Sequence, residues 1–241
     1  MNTKTLISFI VEGIVNSFRK PGFETFQISY TLPPKTVVCG LLTNIMGKGE
    51  KFLYEFLEKF EYSTFLVSLG GKFVDLWHGI QGKGEGKEKT IFYREELFKS
   101  VYKIFVRIDG DNQEIKKFLE KPRRVPYFGL GDEIVKISNV KVIPDKKIYT
   151  NEVWDILPVE YMDKIEDIVL RESFGNSVLN IAPSENDFVV KFQVSWGSYG
   201  RKERTRKEVK RVFIAPGRKF ILKEKVEVNV DADGVAKFIL F

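Results

Sequence analysis

Residues 16–47, NSFRKPGFETFQISYTLPPKTVVCGLLTNIMG, decide how this chain is read. The stretch begins where a strand-like run, Leu6 to Val11, ends. A paired cation, Arg19 and Lys20, precedes Pro21, and a loop then leads to Tyr30-Thr31-Leu32-Pro33-Pro34. Two prolines set φ for a helix start, where their missing N–H groups cost nothing. The apolar segment Val37 to Met46 supplies the helix body, and Gly47 is its natural stop. The spacing therefore predicts a strand, a basic loop and a helix over about Lys35–Met46. Backbone N–H groups and cations brought together in such a loop suit phosphates.

Working outward, the first half reads as β-α-β-β-α-β. After Gly49, the residues Phe52, Phe56, Leu57 and Phe60 form a second helical stripe. Thr64–Leu69 and Phe73–Trp77 read as strands, and Tyr102–Ile108 alternates apolar and polar. Helical spacing returns at Ile115, Phe118 and Leu119 before Pro122, and Ile134–Ile143 closes the unit as a strand. This order predicts a ferredoxin-like (RRM-like) α+β domain, an arrangement that by itself names no activity. Between two of its strands, Gly79 to Lys87 holds four glycines and reads as the mobile end of a long β-hairpin. The glycines lead into charged residues rather than Gly-Lys-Ser/Thr and a helix, so a nucleotide-binding loop is not expected.

From about Pro144 the pattern changes to short strands: Val189–Val194, Val209–Ile214, Phe220–Leu222, Val226–Val230 and Ala236–Phe241. Asp231-Ala232-Asp233-Gly234 is a tight turn that predicts a closing hairpin. The expected division is a domain over 1–143 and a small β-rich subdomain over 144–241.

A hydrophobic content of 43% with 14% aromatics supports a packed core rather than disorder. No apolar run is long enough to cross a bilayer, and the first apolar strand lacks a signal peptide's charged start, so a cytoplasmic protein without membrane contact is expected. One cysteine, Cys39, and one histidine, His78, exclude an internal disulfide and a structural zinc site, and no cofactor is expected. Cys39 sits among Val37, Val38, Leu41 and Leu42 and reads as core. The net charge of +6 is unevenly spread. In residues 201–211, RKERTRKEVKR, seven cations against two acids give +5, which leaves +1 for the rest of the chain. This segment is expected to be an excursion between strands, either a solvated face or a nucleic-acid contact.

The order Phe-Arg-x-Pro, Tyr-x-x-Pro-Pro-x-Thr, Gly-Leu-Leu and a closing Met-Gly resembles the start of CRISPR-associated (Cas) protein family five. Those proteins are RNA-binding subunits of type I CRISPR surveillance complexes. The matching positions are Phe18, Arg19, Pro21, Tyr30, Pro33, Pro34, Thr36, Gly40, Leu41, Leu42 and Gly47. Weaker matches are Arg94-Glu95-Glu96-Leu97 followed by Tyr102, and Pro126-Tyr127-Phe128-Gly129-Leu130-Gly131. The last hundred or so residues carry no such match. The resemblance implies a non-catalytic subunit that holds the 5′ handle of the guide RNA and caps the backbone filament. Its partners would be the guide RNA and the backbone and large subunits of a Cascade-like complex. It also implies that the hairpin serves as a thumb reaching the neighbouring subunit.

Single-stranded RNA binding needs cations for phosphates and flat side chains for bases. Arg19 and Lys20 lie near Tyr30 in sequence, and Lys35 occupies the first turn of the helix. Trp77 and His78 flank the glycine-rich hairpin, and Arg123 and Arg124 precede Tyr127 and Phe128. With Arg201, Arg204 and Arg206 of the basic segment, these are the candidate RNA contacts. Two rival readings stand. One is a metal-independent endoribonuclease of the resembled family, which would use tyrosine, lysine and histidine. Here His78 is flanked by Trp77 and Gly79, without the adjacent lysine of the cutting branch, so no catalytic residue is assigned. The other is a generic ferredoxin-like RNA-binding protein. The acids Asp109 and Asp111, and Asp163, Glu166 and Asp167 at helical spacing, read as caps and solvated faces.

Overall fold

The computed structural model describes residues 5–23, 25–81, 88–108, 112–171, 181–196 and 202–241. In chain order these form β1 (Thr5–Asn16), β2 (Phe26–Gln27), α1 (Lys35–Ile45), α2 (Glu50–Leu57), β3 (Phe60–Ser68), β4 (Gly71–Gln81) and β5 (Glu88–Ile108). Then come α3 (Asn112–Glu120), β6 (Val135–Pro144), β7 (Lys147–Pro158), a 3-10 helix (Val159–Lys164), β8 (Ile165–Leu170), β9 (Ser184–Trp196), β10 (Lys202–Val230) and β11 (Lys237–Phe238). The protein is thus mixed α+β, with mostly sheet and few helices.

Among the described residues the strands form a six-stranded and a five-stranded sheet. In the first, β1 lies between β5 and β6, antiparallel to both. β3 pairs antiparallel with the C-terminal half of β5, which makes the order β3–β5–β1–β6. β4 continues beyond β3 and pairs with the N-terminal half of β5 as a hairpin, whose tip (82–87) lies outside the described residues.

Side-chain parity explains the layering. Ile7, Phe9 and Val11 of β1, Tyr102, Ile104 and Val106 of β5, and Tyr62 and Leu66 of β3 pack with Val38, Leu41, Leu42 and Ile45 of α1. The opposite parity, Leu6, Phe65, Phe105 and Ile143, packs on Ala236 and Phe238 with Trp154 beside them. One face of the sheet is therefore covered by helices together with Ile156, Phe188, Val212 and Ile214 of the second sheet, and part of the other by β7 and β11. Asp155 and Arg171 clasp the two sheets together. The wholly buried Asp155 carboxylate accepts from the N–H of Leu66 (2.7 Å) and of Gly217 (3.2 Å). Arg171 pairs with it at 3.0 Å and donates to the Leu66 carbonyl at 2.6 Å.

The first helix follows its local signals. Pro34 is its N-cap, and Gly47 at φ +70° ends it. The Gly47 N–H reaches the Asn44 carbonyl (2.8 Å) and the Lys48 N–H the Thr43 carbonyl (3.0 Å), a Schellman motif. The Asp231–Gly234 turn also forms: the Asp231 carboxylate accepts from Val235 and Ala236 N–H, and β10 pairs with β11 beyond it.

The second half departs from expectation. The separate strands 209–214, 220–222 and 226–230 are one strand, β10, whose register against β7 shifts between Ile214 and Lys219 and between Ile221 and Val226. Bulges absorb what reads as turns. β7 and β8 were not expected, since their polar positions mask the alternation. Glu166 and Asp167 lie in β8 rather than on a helix, while Asp163 is in the 3-10 helix. Phe60 begins β3 instead of extending α2. Most consequential, residues 202–211 are no excursion: they pair with β9 from Lys202↔Trp196 to Arg211↔Asp187. Sheet pairing is made by the backbone, so a charge run can join it when both faces meet water.

Candidate nucleic-acid interface

The basic loop is positioned by residues more than a hundred places further along the chain. β1 ends at Asn16, whose amide donates to the Phe128 carbonyl (2.6 Å) and whose side-chain oxygen accepts from Ser100 (2.8 Å). Ser17 is held twice by Glu133, through its N–H (2.9 Å) and its hydroxyl (2.5 Å). The same carboxylate accepts from the Leu130 N–H at 2.9 Å. Phe18 then packs edge-on against Phe128 and tilted against Tyr102. Gly129 makes this possible: at φ +117°, a Cβ would lie 2.5 Å from the Ser17 carbonyl oxygen. The three segments that carry the family resemblance thus meet at one place.

From this anchor the loop turns out and returns. Arg19 and Ser29 form an isolated bridge, and the Lys20 N–H reaches the Ile28 carbonyl at 2.8 Å. Arg19 is exposed, its guanidinium near the Phe23 carbonyl (3.3 Å). Lys20 lies over the Tyr30 ring, 5.2 Å from its centre, and lines a cavity of about 430 Å³ with Ser29, Thr31, Lys72 and Ser184. Burial and then the nearby Lys72 lower the Lys20 pKa, the mark of two cations facing one space. The sequence does not single out Lys72, which follows two glycines. It also pairs with Glu95 at 2.5 Å.

Tyr30 joins the loop to the second sheet. Its hydroxyl donates to the Asp187 carbonyl (3.0 Å), and its ring meets Phe188 edge-on at 5.2 Å. It is only 5% exposed, so little ring surface remains for a base. Burial raises its pKa to about 12, opposed by the positive field of Arg206. Arg206 itself is exposed on β10. Before Val212, β10 has only β9 as a partner among the described residues, so residues 187–196 and 202–211 make a two-stranded ribbon. Within it Arg211 pairs with Asp187 (3.4 Å), and Lys210 with Glu160 of the 3-10 helix (3.8 Å). Arg201 lies outside the described residues, and of Arg204 only the backbone is described, opposite Val194.

The remaining candidates are scattered. Lys35 is 6% exposed, with its amine 5.2 Å from the Phe60 ring centre and its pKa lowered by burial. Arg123 covers Phe118, and its N–H reaches the Ile45 carbonyl at 2.8 Å. Arg124 donates to the Gly47 (3.1 Å) and Lys48 (3.3 Å) carbonyls, closing the end of α1. Those contacts give both arginines a helix-capping task. Trp77 and His78 are on β4, with the Arg94 guanidinium 4.0 Å over the Trp77 ring. Trp77 lines a pocket with Asp75, Glu96, Asp132 and Glu133, which repels phosphate. No helix among the described residues is long and apolar enough to cross a membrane.

Neither a protein family nor a curated protein matches this sequence. Solved structures do resemble it in shape. A chain from a "CRISPR RNA-guided surveillance complex" has 12% identity and a TM-score of 0.48, over 95% of this chain and 92% of that one. A chain of a type III-B Cmr-beta complex bound to cognate target RNA and AMPPnP has 14% identity and a TM-score of 0.47, over 90% and 86%. A CRISPR protein from Archaeoglobus fulgidus has 12% identity and a TM-score of 0.44, over 95% and 96%. Identities and scores this low leave function to be read from the chain's own residues.

Proposed function

We propose that this chain is a cytoplasmic, non-catalytic RNA-binding subunit of a type I CRISPR surveillance complex. In this reading it holds the repeat-derived 5′ handle of the guide RNA and caps one end of the backbone filament. The observation that carries the reading is the seating of Tyr30, with Lys20 over its ring, on Asp187 and Phe188 of the basic ribbon, within the positive field of Arg206. Exposed Arg19, the Lys20–Lys72 cavity and the ribbon cations offer phosphates a run of partners, and a planar guanidinium suits phosphate geometry.

The order β3–β5–β1–β6 with helices between β1 and β3 and between β5 and β6 supports a ferredoxin-like domain over 1–143, with 144–241 as a β-rich subdomain. The β4–β5 hairpin exposes Val74, Leu76, Ile91 and Tyr93, a surface suited to a neighbouring backbone subunit. His78 pairs with Ile91 on that hairpin and does not line the Lys20–Lys72 cavity, which favours binding over cleavage.

The test is Arg19→Ala. Loss of one charge-assisted phosphate contact costs about 1.5–3 kcal/mol. Binding of handle-bearing RNA should weaken far more than binding of scrambled RNA, in a variant whose melting temperature matches the parent. Equal losses on both RNAs would reduce Arg19 to general electrostatics, and no loss on either would remove the handle assignment.

A further inference from the structure

Another part of the six-stranded sheet has the opposite chemistry. Ile14 near the end of β1 is 70% exposed, and Ile134 just before β6 is 61% exposed. They form a ridge shared by two cavities. The first, about 450 Å³, adds Val101 to the apolar surface and is bordered by Glu12, Lys99 and Lys136. The second, about 340 Å³, gathers Asp75, Glu96, Asp132 and Glu133 beside Trp77. In a chain of net charge +6 this is a local concentration of negative charge against exposed aliphatic surface. Burial raises the carboxyl pKa of both Glu96 and Glu133, and Asp75 adds to the rise at Glu96. Arg94, whose charge acts on both Glu96 and Glu133, is stacked on Trp77 and held by the Gln27 side chain through Nε and Nη2, both at 3.2 Å.

We propose that the Ile14–Ile134 ridge docks a partner polypeptide, which inserts a lysine or arginine side chain among Asp75, Glu96, Asp132 and Glu133. RNA is disfavoured here because four carboxylates repel phosphates. A small diffusible cation would fill the pocket yet leave both isoleucines in water. A polypeptide satisfies both features, since apolar contact surrounding a desolvated basic anchor is how protein interfaces concentrate their energy. The inference stands apart from the RNA reading and goes beyond it.

The experiment titrates two capped tripeptides, acetyl-Ile-Arg-Ile-amide and acetyl-Ile-Glu-Ile-amide, into the full chain by NMR. The arginine peptide should bind and shift resonances of Ile14, Trp77 and Ile134, and the glutamate peptide should not. The double variant Asp75→Asn/Asp132→Asn removes exposed charge and should weaken the arginine peptide about tenfold or more. Ile14→Asn should weaken it as well, and guide-RNA affinity should be unchanged in both variants. Three outcomes overturn the proposal: equal binding of the two peptides, no binding of the arginine peptide up to its solubility, or variants that bind it like the parent. Loss of RNA binding in the variants would make this an RNA surface and also defeat it. A parent that binds no RNA at all counts against the RNA reading alone.

Discussion

Glu133 holds Ser17 by two hydrogen bonds, at 2.9 Å to its N–H and 2.5 Å to its hydroxyl, across 116 residues of chain. Ser17 directly precedes Phe18-Arg19-Lys20, so the turn that leads into β6 fixes where the basic loop after β1 begins. Glu133→Ala leaves the Ser17 and Leu130 donors unpaired in a buried place, which should cost roughly 2–4 kcal/mol in a urea titration. Glu133→Gln keeps acceptors and should cost less. Gly129→Ala, strained at φ +117° and crowding the Ser17 carbonyl, should also destabilise, by about 1–3 kcal/mol. Stability unchanged in both Glu133→Ala and Gly129→Ala would mean that the anchor does not hold the loop.

The basic ribbon is tested by salt. Neutralising Arg201, Arg204 and Arg206 together should weaken RNA binding and flatten its log–log salt dependence by about 0.7 of a unit per lost phosphate contact on single-stranded RNA. An unchanged slope would return the ribbon to a solvated surface.

Cleavage is the third measurement. Incubation with a CRISPR repeat RNA at neutral pH, with EDTA or with divalent metal, should leave the RNA intact. Site-specific cutting that disappears in His78→Ala would make the endoribonuclease reading correct.

A pH dependence follows from the clasp. Complete burial pushes the Asp155 carboxyl up to about 7, against the opposing pull of Arg171 and two backbone N–H groups. The unfolded carboxyl titrates near 3.9, so between about pH 4 and 7 the folded protein holds a proton that the unfolded chain has released. A folded pKa above the unfolded one means stability present at low pH and lost as pH rises through that window, then level. Denaturation midpoints at pH 5, 6, 7 and 8 should show this decline in the parent, and Asp155→Asn should show less of it. Equal slopes in the two proteins would assign the pH dependence to other groups.

The parts legible in the sequence are those whose causes are local. Pro33-Pro34 and Gly47 bracket the first helix because φ restriction and a left-handed stop act over a few residues. The Asp231–Gly234 turn is set by one carboxylate reaching N–H groups four and five residues on. Arg19 and Lys20 are recognisable as a basic loop for the same reason. What tertiary structure decided is pairing and burial. Continuous β10, its ribbon with β9 and the strands β7 and β8 depend on backbone partners far away in the chain, so alternation and charge do not reveal them. Tyr30 and Lys35 look like contact residues and are buried, while Lys72, which no motif marks, shares a cavity with Lys20. A side chain's type is written in the sequence, but its access to solvent is set by whichever distant segment packs over it.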